Sequence, residues 1–212
     1  MIIAVDGPTA SGKGTIAAAL ARHYALPHLD TGLLYRAVGY QCAASGGDPD
    51  RVDDAVLACG FPDALLADPE LRNEATGGLA SRVSVHPAVR QCLFQRQRVF
   101  ALQPGGAVLD GRDIGTVIAP EAEAKLFVIA SVEARARRRF AEMQEQGRDV
   151  SMADIAAELA ARDERDRKRA EAPLVAAPDA VLLDTSELSR DAAIAAAIAM
   201  VEAARKGRTD RL

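Results

Sequence analysis

No apolar run in this 212-residue chain approaches the roughly 18 residues that cross a bilayer. The N-terminus has neither a basic n-region nor an apolar h-region, so no secretory signal is expected. Cysteine is scarce. Cys42, Cys59 and Cys92 are odd in number and far apart in sequence, with no Cys-x-x-Cys spacing and no clustered His. That pattern excludes a zinc site and suits reduced thiols in a cytoplasm. Positive charge is not in excess either. A net charge of -4 and a pI near 5.5 argue against a general nucleic-acid binder. There is no internal repeat and no low-complexity linker.

Apolar residues make up 49% and charged residues 26%, enough for a sizeable core in one compact domain. Ile2 to Asp6 reads as a buried strand, and an Ala-rich helix follows from Thr15 to Tyr24. "LPHLDTG" turns the chain. Thr31 is placed to cap a helix over about 32–44. The stretch 50–85 has weak periodicity and reads as a small, mostly helical lobe. Pro87 opens a long helix to about Leu102. Strands are expected at 107–110, 125–130 and 180–184. Ser131 caps an Arg-rich helix to about Gln146, and Ser151 starts another to about Glu171. A final helix covers about 189–206, with a fraying polar tail. Strands alternating with helices imply a parallel sheet covered on both faces. In such sheets ligands sit at the carboxyl ends of the strands. That places the site where 7–15, 111–116 and the loop after Ala130 meet.

Gly7-x-x-x-x-Gly12-Lys13 lies between a strand and a helix, the context that a phosphate-binding P-loop requires. Backbone N–H groups of Gly7, Pro8-Thr9-Ala10-Ser11 and Gly12 to Thr15 surround the phosphates (Pro8 itself has no N–H). Lys13 adds a point charge and the helix N-terminus its dipole. Gly14 stands where a hydroxyl residue usually follows the Lys. A second phosphorylated substrate can then come close. Thr15 is a candidate to serve Mg²⁺, directly or through water.

"GKGT" resembles nucleoside monophosphate kinases. "LDTGLLYRA" (29–37), "HPAVRQCLFQRQR" (86–98), "DGRDIGT" (110–116) and "RDERDRKRAEAPL" (162–174) resemble the bacterial cytidylate kinases in the same order. The resemblance implies an α/β, P-loop NTPase-type three-layer sandwich with a central parallel five-stranded sheet. A small helical NMP-binding lobe (31–102) and a short lid (within about 131–169) belong to the same single domain. The implied reaction moves the γ-phosphate of ATP to CMP or dCMP, with Mg²⁺ as cofactor, in a monomer. Lys13, Arg36 and Arg112 are the implied catalytic groups, and Arg138 packs on the adenine. Thr31, Ser81, Arg90 and Asp113 are implied to contact the base, and Arg36 and Arg112 the acceptor phosphate. Arg162, Asp166 and Arg169, at i, i+4 and i+7, would share a helical face toward the nucleotide. Asp110 orients Mg²⁺ through water. The stretch 46–86 is shorter than in the fuller bacterial form, so the small antiparallel sheet of that lobe is expected to be truncated or replaced by helix.

Arg135, Arg138 and Arg139 also share a face and begin the lid. From 131 to 169 there are ten Lys or Arg against nine Asp or Glu, too nearly neutral for a nucleic-acid stripe. An already ionised acceptor phosphate needs no general base. No catalytic His is expected, and His23, His28 and His86 read as structural or exposed. Two other readings stay open: a small kinase acting on UMP, AMP or an alcohol, and a non-catalytic nucleotide sensor.

Overall fold

The computed structural model describes residues 1–145 and 147–209. The chain divides into two compact units, Met1–Leu29 with Ala101–Leu212, and Asp30–Phe100.

The first unit is built on one parallel sheet of order β2-β3-β1-β4-β5. β1 (Ile2–Asp6) is wholly buried at its centre. It pairs with β3 (Ala107–Gly111) on one side and β4 (Ala124–Ile129) on the other. A short apolar run, Ile2 to Val5, buried on both faces is what a central parallel strand requires. Ile3, Val5, Val108, Leu126 and Val128 pack against α1 (Lys13–His23) and α8 (Arg190–Thr209). Each fully buried Ile, Leu or Val there stabilises the fold by about 1.5–3 kcal/mol. β5 (Val181–Asp184) is an edge strand with Val181 and Leu182 exposed.

The structure corrects the sequence reading at several points. "LPHLDTG" is not only a turn: His28–Asp30 forms β2, an edge strand beside β3, steadied by the Val108 N–H donating to the Pro27 carbonyl at 2.9 Å. Three residues carry too little pattern to reveal a strand by themselves. Thr31 is not the cap of α2 (Thr31–Ala44) but its first residue, with Asp30 at the N-cap position. α8 continues past Lys206 to Thr209, and the rest of the expected tail lies outside the described residues. α6 (Val132–Glu145) is capped by the Ser131 hydroxyl, which accepts from Ala134 N–H at 3.1 Å. Gln146, its expected end, is also outside the described residues.

α7 (Met152–Lys168) stops three residues before the expected Glu171. Arg169 is already extended and Ala172 is left-handed at φ 48°, ahead of Pro173. α6 and α7 pack through Ala136, Met143, Ile155 and Leu159. Arg135 does not share the surface of Arg138 and Arg139. It is buried beneath this seam and forms a two-pronged ion pair with Asp163 on α7, at 3.0 and 2.6 Å. Its Nε donates to the Ala130 carbonyl at 3.0 Å, and Nη1 donates to the Thr9 carbonyl at 3.0 Å.

Asp6, the last residue of β1, is the other buried anchor. Its two carboxylate oxygens accept from the backbone N–H groups of Ile114 and Gly115, each at 2.8 Å. These lie in a π-helical turn (Ile114–Ile118) that follows β3.

After Asp30 the second unit has helices joined by turns and short irregular segments and, among its described residues, no strand. It contains α2, α3 (Val52–Leu57), three 3₁₀ turns between 58 and 72, α4 (Glu74–Val83) and most of α5 (Pro87–Ala101). α2 and α4 approach closely at Gly39, where a Cβ would stand 2.8 Å from the Leu79 Cβ. Cys59 and Cys92, distant in sequence, are in contact here. Burial, together with the neighbouring Cys92, pushes the Cys59 thiol up to about 12, so it stays protonated at neutral pH.

Removing one partner of a buried ion pair leaves the other charge uncompensated. Asp163→Ala should therefore lower the unfolding free energy in urea by about 3–5 kcal/mol, and an unchanged midpoint would contradict the bracing role. Burial pushes the Asp6 carboxyl up from 3.8 to about 7, against the opposing pull of the Gly115 and Ile114 amides; Asp113 raises it further and Lys13 lowers it. The unfolded chain thus loses this proton first as pH rises. The group's contribution is full below about pH 4 and is lost progressively towards about pH 7. Asp6→Asn, neutral in both states, should flatten the urea midpoint against pH between about pH 5 and 7.5; a slope equal to that of the unmodified protein contradicts the assignment.

Candidate active site

In the first unit, the segment Gly7–Thr15 runs from the end of β1 into α1. Gly7 has φ 154°, and a Cβ there would collide with the Val128 carbonyl of β4. Ala10 is left-handed at φ 62°, and Gly12, the N-cap, at φ 88°. No side chain caps α1. Gly12 thus offers no side-chain acceptor to the first N–H groups of α1, the arrangement that binds anions at helix starts. Lys13 lies along the loop, with a long 3.4 Å contact from Nζ to the Pro8 carbonyl.

A cavity of about 610 Å³ opens over this loop, lined by Ser11 to Ile16, Arg138, Arg139 and Thr185 among others. That volume suits a nucleotide. Arg138 donates from Nη1 to Thr185 Oγ1 at 3.2 Å and from Nη2 to the Thr185 carbonyl. The Thr185 hydroxyl donates to the Ser11 carbonyl at 2.9 Å, tying the end of β5 to the loop.

Asp110, near the end of β3, is buried, with Oδ1 2.7 Å from His28 Nε2 on β2. Its other oxygen is 3.7 Å from where a Cβ on Gly14 would stand. The carboxylate therefore faces the loop at the very residue that lacks a side chain. His86 instead meets the Pro49 carbonyl at 2.9 Å, and His23 packs edge-on against Tyr24.

Arg112, one residue after β3, is held on two sides. Nε donates to Asp166 Oδ2 at 2.8 Å, and Nη2 donates to Thr9 Oγ1 at 2.5 Å. Asp113 beside it is buried, and its carbonyl accepts from the Val117 and Ile118 N–H groups. Burial pushes the Asp166 carboxyl up, but the guanidinium groups of Arg112, Arg169 and Arg162 outweigh it and hold the carboxyl below the usual carboxylate range. The three arginines thus converge on Asp166, although Arg169 lies outside the helix and reaches the Ala172 carbonyl at 2.8 Å. Arg165, Arg167 and Lys168 are exposed.

In the second unit, Thr31 begins α2 and Arg36 follows one turn later. Arg36 Nη1 donates to the Leu71 and Asn73 carbonyls at 2.8 and 2.7 Å. Its guanidinium lies against Gly77 of α4, where a Cβ would come within 2.9 Å of Nη2. Ser81 is buried one turn further along α4. Arg90 of α5 is buried, 5.6 Å from the Tyr35 ring centroid, and donates to the Ser84 carbonyl at 3.5 Å.

Sequence reasoning gave Asp6, Asp163 and Thr185 no part in the site, read His28 as structural or exposed, and placed Arg135 on the lid face with Arg138 and Arg139. Asp6 ends β1 and Thr185 follows the end of β5, which was a usable signal. The other three carry no local mark, because their partners lie 82, 28 and 28 positions away for His28, Arg135 and Asp163.

The family model described as cytidylate kinase matches residues 3–203. The cytidylate kinase of Caulobacter sp. (strain K31) is 56% identical over 205 residues, covering 96% of this chain and 95% of that protein. That of Xanthobacter autotrophicus (strain ATCC BAA-1158 / Py2) is 56% identical over 209 residues, covering 98% and 100%. The crystal structure of an uncharacterized protein from Eubacterium ventriosum ATCC 27560 superposes with a TM-score of 0.56 at 15% identity, covering 95% of this chain and 98% of that one; this is a likeness of fold alone. A match along nearly the whole length, at more than half identity, places the chain in the cytidylate kinase family of P-loop nucleoside monophosphate kinases.

Proposed function

We propose that this chain transfers the γ-phosphate of ATP to CMP or dCMP, giving ADP and CDP or dCDP. The observation that carries the reading is Arg112, a cation fixed against the phosphate loop at Thr9 and against Asp166. A triphosphate loop alone binds a nucleotide. A second anchored guanidinium beside it suits the phosphate that accepts the transfer.

ATP lies with its phosphates on the N–H groups of 7–15 and its base toward Arg138, whose planar guanidinium suits stacking. Lys13 holds the β- and γ-phosphates. In the unit Asp30–Phe100, Arg36 binds the α-phosphate of CMP, and Thr31, Ser81 and Arg90 contact the base. In the other unit, Arg112 meets the acceptor phosphate and the moving phosphoryl group, Asp113 accepts from the exocyclic amine, and Arg162, Asp166 and Arg169 hold the nucleoside. Oxygen donors suit Mg²⁺, and Asp110 with Thr15 would hold it, since the Asp110 carboxylate faces the loop. When bound, the ion neutralises charge on the phosphate oxygens. The acceptor phosphate is already ionised, so the residues need only position it and stabilise charge. The protein acts as a monomer on small-molecule substrates; no helix among the described residues is long and apolar enough to cross a membrane.

Arg36→Ala should lower kcat/KM for CMP more than tenfold, a loss of about 1.4 kcal/mol or more, measured by coupled ADP release. Near-normal turnover would remove Arg36 from the site. The same assay with CMP, dCMP, UMP, AMP and shikimate tests the acceptor. Turnover with UMP or AMP and none with CMP overturns the proposal.

A further inference from the structure

Thr9 stands between two guanidinium groups. Its carbonyl accepts from Arg135 and its hydroxyl accepts from Arg112. Both arginines are anchored on α7, Arg135 by Asp163 and Arg112 by Asp166. Those carboxylates are three residues apart and so lie on one helical face. The result is a closed circuit of loop, Arg112, helix and Arg135, with Thr9 as its junction.

Binding phosphate does not require this hydroxyl. Backbone N–H groups of the loop serve any residue at position 9. The hydroxyl is nevertheless spent on Arg112, in a charge-assisted bond. With Nε on Asp166 and Nη2 on Thr9, the guanidinium plane is fixed by two contacts. Nη1 has only a 3.4 Å approach to the Gly111 carbonyl and remains the edge for an incoming phosphate. Without the hydroxyl, Arg112 would turn about a single ion pair.

We propose that the Thr9 hydroxyl is a positioning residue for phosphoryl transfer, fixing the Arg112 guanidinium so that its Nη1 edge meets the transferring group. This rests on the kinase reading above. A misplacement of a charge-stabilising group acts on kcat more than on binding of the donor.

Thr9→Val keeps the shape and removes the acceptor, whereas Thr9→Ser keeps the acceptor. With ATP and CMP, Thr9→Val should lower kcat about tenfold or more, leave KM for ATP and the ADP dissociation constant within about threefold, and Thr9→Ser should recover most of the loss. In substrate-free protein, the ¹⁵N-detected Nε–H signal of Arg112, assigned through Arg112→Lys, should be sharp in the unmodified protein and in Thr9→Ser and exchange-broadened in Thr9→Val. If Thr9→Val does not fold, Thr9→Ala carries the same expectations. A kcat within twofold of the unmodified protein, an unchanged Arg112 signal, or a loss of ADP affinity in proportion to kcat overturns the proposal. If the unmodified protein turns over no CMP, the kinase reading fails, while the Arg112 signal still decides whether Thr9 anchors it.

Discussion

A single buried guanidinium, that of Arg135, constrains much of the first unit. A charge removed from water must be fully hydrogen-bonded or its desolvation goes uncompensated. Arg135 meets this condition with partners from three places: Ala130 just after β4, Asp163 of α7, and Thr9 of the phosphate loop. None of these can shift without leaving a buried donor unpaired. The placement of α7 then sets Asp166, one turn from Asp163, and Asp166 sets Arg112. The phosphate loop and α7 are thereby one electrostatic structure.

The same logic explains how so many arginines coexist in a chain of net charge -4. The ones at the site are matched: Arg112 by Asp166, Arg135 by Asp163, and Arg138 and Arg36 by backbone carbonyls. These partners hold the guanidinium groups in fixed orientations before any ligand arrives. Such preorganisation is what a reaction dominated by positioning and charge neutralisation needs. Arg165 and Arg167, on the same helix as Asp166, are exposed.

Much of this was legible in the sequence. The buried strands 2–6 and 107–111 showed as short apolar runs, the phosphate loop as spacing between strand and helix, and α5 as a proline-opened helix. Other features escaped for identifiable reasons. β2 is three residues long, and its strand identity comes from pairing to β3. The end of α7 depends on backbone states at Arg169 and Ala172 that residue identity leaves open. Arg135 looked like a surface arginine because its helical spacing matched that of Arg138 and Arg139, and only packing separates a buried face from a wet one. Cys59 and Cys92 look unrelated until the second unit folds.

The sequence by itself determined most of the elements, the triphosphate loop and the family of the chain, because those depend on local spacing and on residue types in order. Only the tertiary structure decided which charges are paired: Asp6 with two amides, His28 with Asp110, Arg135 with Asp163, and Arg112 between Thr9 and Asp166. Those pairings join residues up to 109 positions apart. Whether a charge is exposed, buried or neutralised depends on neighbours in space, which local spacing does not encode.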